Sequence, residues 1–281
     1  GVRGVEEVTD EEPRPKNPTR AQLRQAVQPD EVMARAAEHW TGTLYMRRLS
    51  VNLTYLLVRT SITANGVTVL MILFGVLAGP ALLLPGIWGP VLAVFCTQLQ
   101  MFLDCSDGEV ARWRRTSSPK GIFLDQIGHY LAEASIGLFL GLKAALLISG
   151  GGIAGVDWFY AFLGGVLAVG IGFNKSLNLM VSVGRLSAGL GPLPEGGAAR
   201  GMTGGGLLVR LRRAARFLPF QKIFHSIELT LLTLVVGIFA VTGSDELAVW
   251  RGYVSVLAAL IWVVSLGHFL AIWRSPKLSA S

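Results

Sequence analysis

Six runs of apolar residues, broken by short polar or Pro/Gly-rich stretches, set the pattern of this chain. The hydrocarbon core of a bilayer, about 30 Å thick, takes about 20 apolar residues of helix, so each run predicts a membrane span. The spacing places them near 65–84, 88–112, 120–148, 158–183, 219–241 and 247–272. Thr63 or Asn65 is positioned to cap the first. Pro80, Pro85 and Pro90 break the chain before the second, and Gly150, Gly151 and Gly152 predict a turn after the third.

Outside these runs the pattern changes. Residues 1–27 are acidic, then Pro-containing and basic, a composition that predicts a mobile cytoplasmic arm. Over 28–62, Trp40, Leu44, Tyr45, Leu49, Leu53, Leu56 and Leu57 alternate with His39, Arg47, Arg48 and Arg59. Because Arg47 and Arg48 interrupt the stretch midway, it predicts an interfacial amphipathic helix rather than a span. Residues 186–206 read as a Gly/Pro-rich loop, and 207–217, with Arg210, Arg212, Arg213 and Arg216, as a basic interfacial helix. The expected fold is an all-α integral membrane protein: an arm over 1–27, the interfacial helix over 28–62, a six-helix transmembrane domain over 63–275 and a cytoplasmic tail over 276–281.

Composition supports that class. Of 281 residues, 52% are hydrophobic and 15% charged, and the mean hydropathy is +0.52, too apolar for an ordinary soluble domain. The net charge of +7 raises the question of nucleic acid, but the cations sit between apolar runs, as in cytoplasmic loops, so a nucleic-acid partner is not expected. Arg114, Arg115, Lys120, Arg200 to Lys222 and Arg274 fall on one side, and only Lys143 and Arg251 on the other. This asymmetry predicts a multi-pass protein with its N-terminus inside, in the plasma membrane of a prokaryote. No secretory signal is read, and the first span is expected to serve as one. Cys96 and Cys105 lie nine residues apart on one predicted helix. That is about 13 Å, too far for a disulfide, so both are expected as free thiols.

The second and third runs carry ionisable groups that lipid would penalise. At about 100° per residue, Asp104, Asp107, Gly108, Ala111 and Arg112 share roughly a 140° arc. Gly121, Asp125, His129 and Glu133 follow at four-residue steps and also share a face. Aspartates exposed to lipid would cost about 2.5–3.5 kcal/mol each, whereas a hydrated, metal-loaded pocket removes most of that cost. Carboxylate oxygens favour Mg²⁺ or Mn²⁺. Gly108 and Ala111 leave room for a flat or phosphorylated ligand, and Arg112 can fork onto phosphate oxygens. With the N-terminus inside, both halves of the motif face the cytoplasm.

The pattern Asp-x-x-Asp-Gly-x-x-Ala-Arg, eight residues, Gly-x-x-x-Asp, matched from Asp104 to Asp125, resembles the signature of the CDP-alcohol phosphotransferases. The leader Thr63-Ala64-Asn65-Gly66-Val67-Thr68 resembles the opening of that family's first span, with Ala64 in place of Pro. The resemblance is expected to extend over 40–275. It implies metal-dependent transfer of a substituted phosphate from a CDP-linked donor to an alcohol, with release of CMP, in phospholipid or polyol-phosphate lipid synthesis, usually by a homodimer. It makes Asp104, Asp107 and Asp125 metal ligands, sets Gly108 and Ala111 against the cytidine and Arg112 at the diphosphate, and adds Asn65 and Gly121 to the donor-binding set.

The departure is at 129, where the family's fourth aspartate is His129. A neutral imidazole accepts a proton near neutral pH, so His129 is read as the catalytic base, oriented by Glu133. With one carboxylate fewer, one or two ions are expected. Lys175, about 15 Å inside the fourth span, is read with Arg185 as a site for a phosphorylated acceptor; snorkelling or pairing with Glu228 is the alternative. His225 and Glu228 either line the acceptor side or pack. Two other functions fit intramembrane acids: a cation-binding transporter, which predicts inverted repeats that the sequence lacks, and a CDP-binding relative without turnover, prompted by His129.

Overall fold

The computed structural model describes residues 14, 15, 17–28, 45–149, 152–191, 222–275 and 278. The basic helix expected over 207–217 and most of the 186–206 loop lie outside the described residues, as do 29–44 of the expected interfacial helix. The described chain runs α1 Arg20–Val27, α2 Arg47–Leu57, α3 Ala64–Ala81, α4 Trp88–Arg114, α5 Pro119–Ala145, β1 Leu146–Ser149, β2 Gly152–Val156, α6 Trp158–Ser187, a 3₁₀ turn Lys222–Phe224, α7 Ser226–Thr242 and α8 Glu246–Trp273. It divides into two compact units, Gly1–Ala78 with Phe95–Ala132, and Gly79–Val94 with Glu133–Ser281.

Among the described residues, three helices are long and apolar enough to cross a membrane: α3, α6 and α8. Only 28% of the most apolar stretch of α6, and the same share of α8, is buried. Trp158, Phe162, Val169, Val256 and Val263 instead face outward, a surface that suits lipid and not water. Apolar α7 has 17 residues. The 27-residue helices α4 and α5 carry the acidic motif, which dilutes their hydropathy.

In the first unit, the mobile arm expected over 1–27 gives way to helix at Arg20–Val27. Thr19 and Gln22 form a reciprocal capping box, satisfying donors that a free helix end leaves open. The i, i+4 pair Leu23 and Val27 is fully buried in a core with Val51, Leu57, Val67, Met71, Leu103 and Trp113. Within the range expected for the interfacial helix, Arg47–Leu57 is helical as α2, whose Ser50, Val51, Thr54 and Leu57 turn inward. For α3 the cap is Thr63, whose Oγ1 accepts from the Gly66 N–H at 3.0 Å.

The turn between the motif halves is closed at both ends. Helix α4 stops with Arg115 in the left-handed region (φ 56°), and Thr116 N–H reaches back to Ala111 O at 2.9 Å, the Schellman pattern. Arg114 donates to the carbonyls of Leu57 and Thr60. Ser118 Oγ then accepts from Gly121 N–H at 3.2 Å, and Pro119 opens α5, where its missing N–H has no cost.

In the second unit, the span expected to reach Ile148 stops at Ala145, and the purely α fold gains a two-stranded antiparallel hairpin, Leu146 pairing with Val156. The Gly-rich run read as a bare turn lies between two short apolar stretches, the pattern of a hairpin. Asp157 caps α6 and its Oδ2 accepts from Arg251 Nη2 at 3.0 Å. Close approach of α5 and α6 depends on Gly141: a Cβ there would sit 2.3 Å from Gly164 Cα.

Candidate functional site

Within the first unit, α4 and α5 bring three side chains of the motif together. His129 Nε2 lies 3.0 Å from Asp104 Oδ1 and 3.5 Å from Asp125 Oδ1. One ligand atom from each of the three residues falls within 4.8 Å of the others. Their side chains are 19%, 23% and 28% exposed for His129, Asp104 and Asp125, so the group is sheltered yet reachable. Asp125 Oδ1 is buried without a hydrogen-bond partner. Two carboxylates converging on one point with an orphaned oxygen fit a hard divalent cation, which supplies the positive charge that their own repulsion calls for.

Asp107 points elsewhere on the same turn. Its Oδ2 accepts from Thr68 Oγ1 at 2.6 Å, so the last residue of the Asn-Gly-Val-Thr leader on α3 holds a motif carboxylate. The leader's Asn65 stands against the second half of the motif, since a Cβ on Gly121 would lie 3.2 Å from Asn65 Oδ1. Arg112 folds back over Gly108, where a Cβ would meet its Nη1 at 3.2 Å. Its Nε donates to Val27 O at 2.8 Å, while its Nη2 is buried without a partner. Ala111 is partly buried on the same helix.

Glu109 is the motif residue that pattern reading passed over. It is fully buried. Its Oε1 accepts from Gln28 Nε2 and Ser50 Oγ, both at 2.7 Å, and its Oε2 from Thr54 Oγ1 at 2.6 Å. The available signal was its angle: five residues after Asp104 it faces away from the aspartate arc, toward the neighbours of α4.

The second unit holds a separate charged cluster. Glu133, with its side chain 4% exposed, accepts from Lys175 Nζ at 2.8 Å and faces His225 Nδ1 at 3.4 Å. Lys175 therefore pairs with Glu133, and the Glu133 carboxylate expected to orient His129 is engaged by Lys175 and His225. Asn174, one residue before Lys175, donates to Ser265 Oγ at 3.2 Å. Arg185, ten residues along α6 from Lys175, donates to Gly191 O at 3.1 Å. Both cysteines are buried free thiols.

No curated protein matches the chain. Residues 61–183 match the model of the CDP-alcohol phosphatidyltransferase family, a shorter stretch than the expected 40–275. The matched segment takes in Asn65, Thr68, the three aspartates, Arg112 and His129, the residues that converge in the first unit. Over that segment the chain is similar to the CDP-alcohol phosphatidyltransferase family.

Proposed function

We infer that this protein transfers a substituted phosphate from a CDP-linked donor to an alcohol in a membrane, releasing CMP, with a divalent cation held by Asp104 and Asp125. The carrying observation is the convergence of those two carboxylates with His129 inside 4.8 Å. Mg²⁺ or Mn²⁺ suits the oxygen donors, and Asp107, fixed by Thr68, is placed on the same helix to complete a one- or two-ion set. When bound, the cation supplies charge that opposes the build-up on the diphosphate and the leaving CMP.

The chain's own groups do the rest. Gly108, Ala111 and Gly121 keep bulk away from the donor, Asn65 abuts the Gly121 turn, and Arg112 presents its unpartnered Nη2 to the diphosphate. His129 accepts the proton of the attacking alcohol, its ring held by Asp104. Lys175, balanced by Glu133, and Arg185 are assigned to the acceptor. The acceptor is either a small polar alcohol meeting CDP-diacylglycerol, or a lipid or polyol meeting a CDP-linked headgroup.

The same reading makes the chain a multi-pass homodimer with its site open to the cytoplasm. Helices α4 and α5, at 27 residues each, are about 40 Å long. They can cross a bilayer core, and with α3, α6, α7 and α8 they give six spans. His129→Ala tests the proton-acceptor assignment. CMP release should fall to background while Mg²⁺-dependent binding of CDP persists, and retained release contradicts it. Placement of Nε2 among the carboxylates favours a second reading, His129 as a third ligand; loss of CDP binding together with turnover selects that one.

A further inference from the structure

Arg112 is the residue on which donor binding leans in the reading above, and its guanidinium is not oriented by the motif alone. Its Nε is tied to the carbonyl of Val27, the last residue of α1, at 2.8 Å. The next residue, Gln28, is the C-cap of α1 and donates through Nε2 to Glu109 Oε1 at 2.7 Å and to Arg47 O at 2.6 Å. Glu109 and Arg112 lie three residues apart on α4, about 60° around the helix, with Arg112 at the edge of the aspartate arc nearer Glu109. Two side chains of a single helical turn thus grip two consecutive residues at the end of α1, one accepting from Gln28 and the other donating to Val27.

The grip is reinforced on both sides. Ser50 and Thr54 of α2 also donate to Glu109, so both oxygens of the buried carboxylate are bonded by groups N-terminal to the family match. Arg14 donates to the carbonyls of Arg112 and Trp113 at 2.7 and 3.1 Å and lies 5.2 Å over the Trp113 ring. On the Arg112 guanidinium itself, Nε is held by Val27 O and Nη2 is left without a hydrogen-bond partner. A guanidinium fixed at Nε, with a buried Nη2 that lacks a hydrogen-bond partner, is preorganised for an anionic ligand.

We propose that Gln28 and Glu109 are positioning residues for the donor: they lock the end of α1 onto the motif helix so that Val27 O aims Arg112 at the diphosphate. This rests on the reading of the chain as a user of CDP-linked donors. Residues before the family match therefore contribute to donor affinity, through Arg112 and without touching the nucleotide.

The experiment is a double-mutant cycle on the full-length protein in detergent, with Mg²⁺ and CDP as the probe. Gln28→Ala should weaken CDP binding about tenfold, the worth of one hydrogen bond to a charged group. In an Arg112→Ala background the same substitution should change affinity by less than about twofold, because its effect runs through that guanidinium. Glu109→Gln, which keeps the shape and loses the charge, should behave in parallel, with a smaller loss than Glu109→Ala. Equal losses in both backgrounds would mark a purely structural role and overturn the proposal. So would wild-type affinity in Gln28→Ala when Arg112→Ala alone weakens binding. Wild-type protein that binds no CDP with Mg²⁺ would instead remove the functional reading on which the proposal rests.

Discussion

Thr68 and Asp107 are 39 residues apart, yet the hydroxyl of one lies 2.6 Å from the carboxylate of the other. A carboxylate aimed by a second side chain is the arrangement by which proteins tune metal ligands, and removing such a partner costs about 10- to 100-fold in metal affinity or activity. Thr68→Val should therefore lower CMP release by that order, with the loss appearing as a higher Mg²⁺ requirement, while Thr68→Ser stays near wild type. A magnesium titration of initial rates separates the two, and an unchanged requirement in Thr68→Val would rule the role out. Asp125 and His129 were legible as neighbours because a four-residue step keeps side chains on one face, and Asp104 was legible as the start of the matching polar arc on α4 that meets them. Glu133 was not. Each step drifts about 40°, so two steps after Asp125 the side chain faces different neighbours, and Lys175 and His225 take it. Thr68 could be named within its leader, but no spacing rule says which aspartate a hydroxyl on another helix will reach.

The elements were read best where a single force decides them. Long apolar runs gave α3, α6 and α8 close to their observed bounds, since lipid-like composition leaves few alternatives to helix. Reading failed where two signals competed. The capping box at Thr19 and Gln22 is a clear start signal, but the polar, Pro-containing composition around it favoured an arm, and only tertiary burial of Leu23 and Val27 settles the helix. At 146–156 the end of a long apolar run concealed two short strands. Helix contacts make a sharper forecast. Gly141→Ala puts a methyl against the backbone of Gly164 and should destabilise the protein by about 1–3 kcal/mol, as overpacking does. Gly172 on α6 meets nothing within 4 Å of an added Cβ. There the same substitution should be neutral or stabilise by up to about 1 kcal/mol through helix propensity. Thermal unfolding of both variants in detergent checks the pair, and equal shifts would contradict the close approach of α5 and α6.

For the whole molecule, exposed apolar helix faces and a sheltered acidic group make one argument. Outward-facing Trp88, Trp158 and Trp273 stand at helix ends, where indoles favour a membrane interface. The helices between them expose aliphatic surface that water would not tolerate. Inside the first unit, two carboxylates and an imidazole converge, with a buried Asp125 oxygen that has no hydrogen-bond partner, within the segment that matches the CDP-alcohol phosphatidyltransferase model. The most direct test is CMP release in proteoliposomes supplied with an alcohol acceptor and a series of CDP-linked donors. With Mg²⁺ present, the wild-type protein should release CMP from at least one donor, and both chelation and Asp125→Asn should reduce that release to background. Absence of CMP from every donor, or release that survives chelation and Asp125→Asn, would contradict the account.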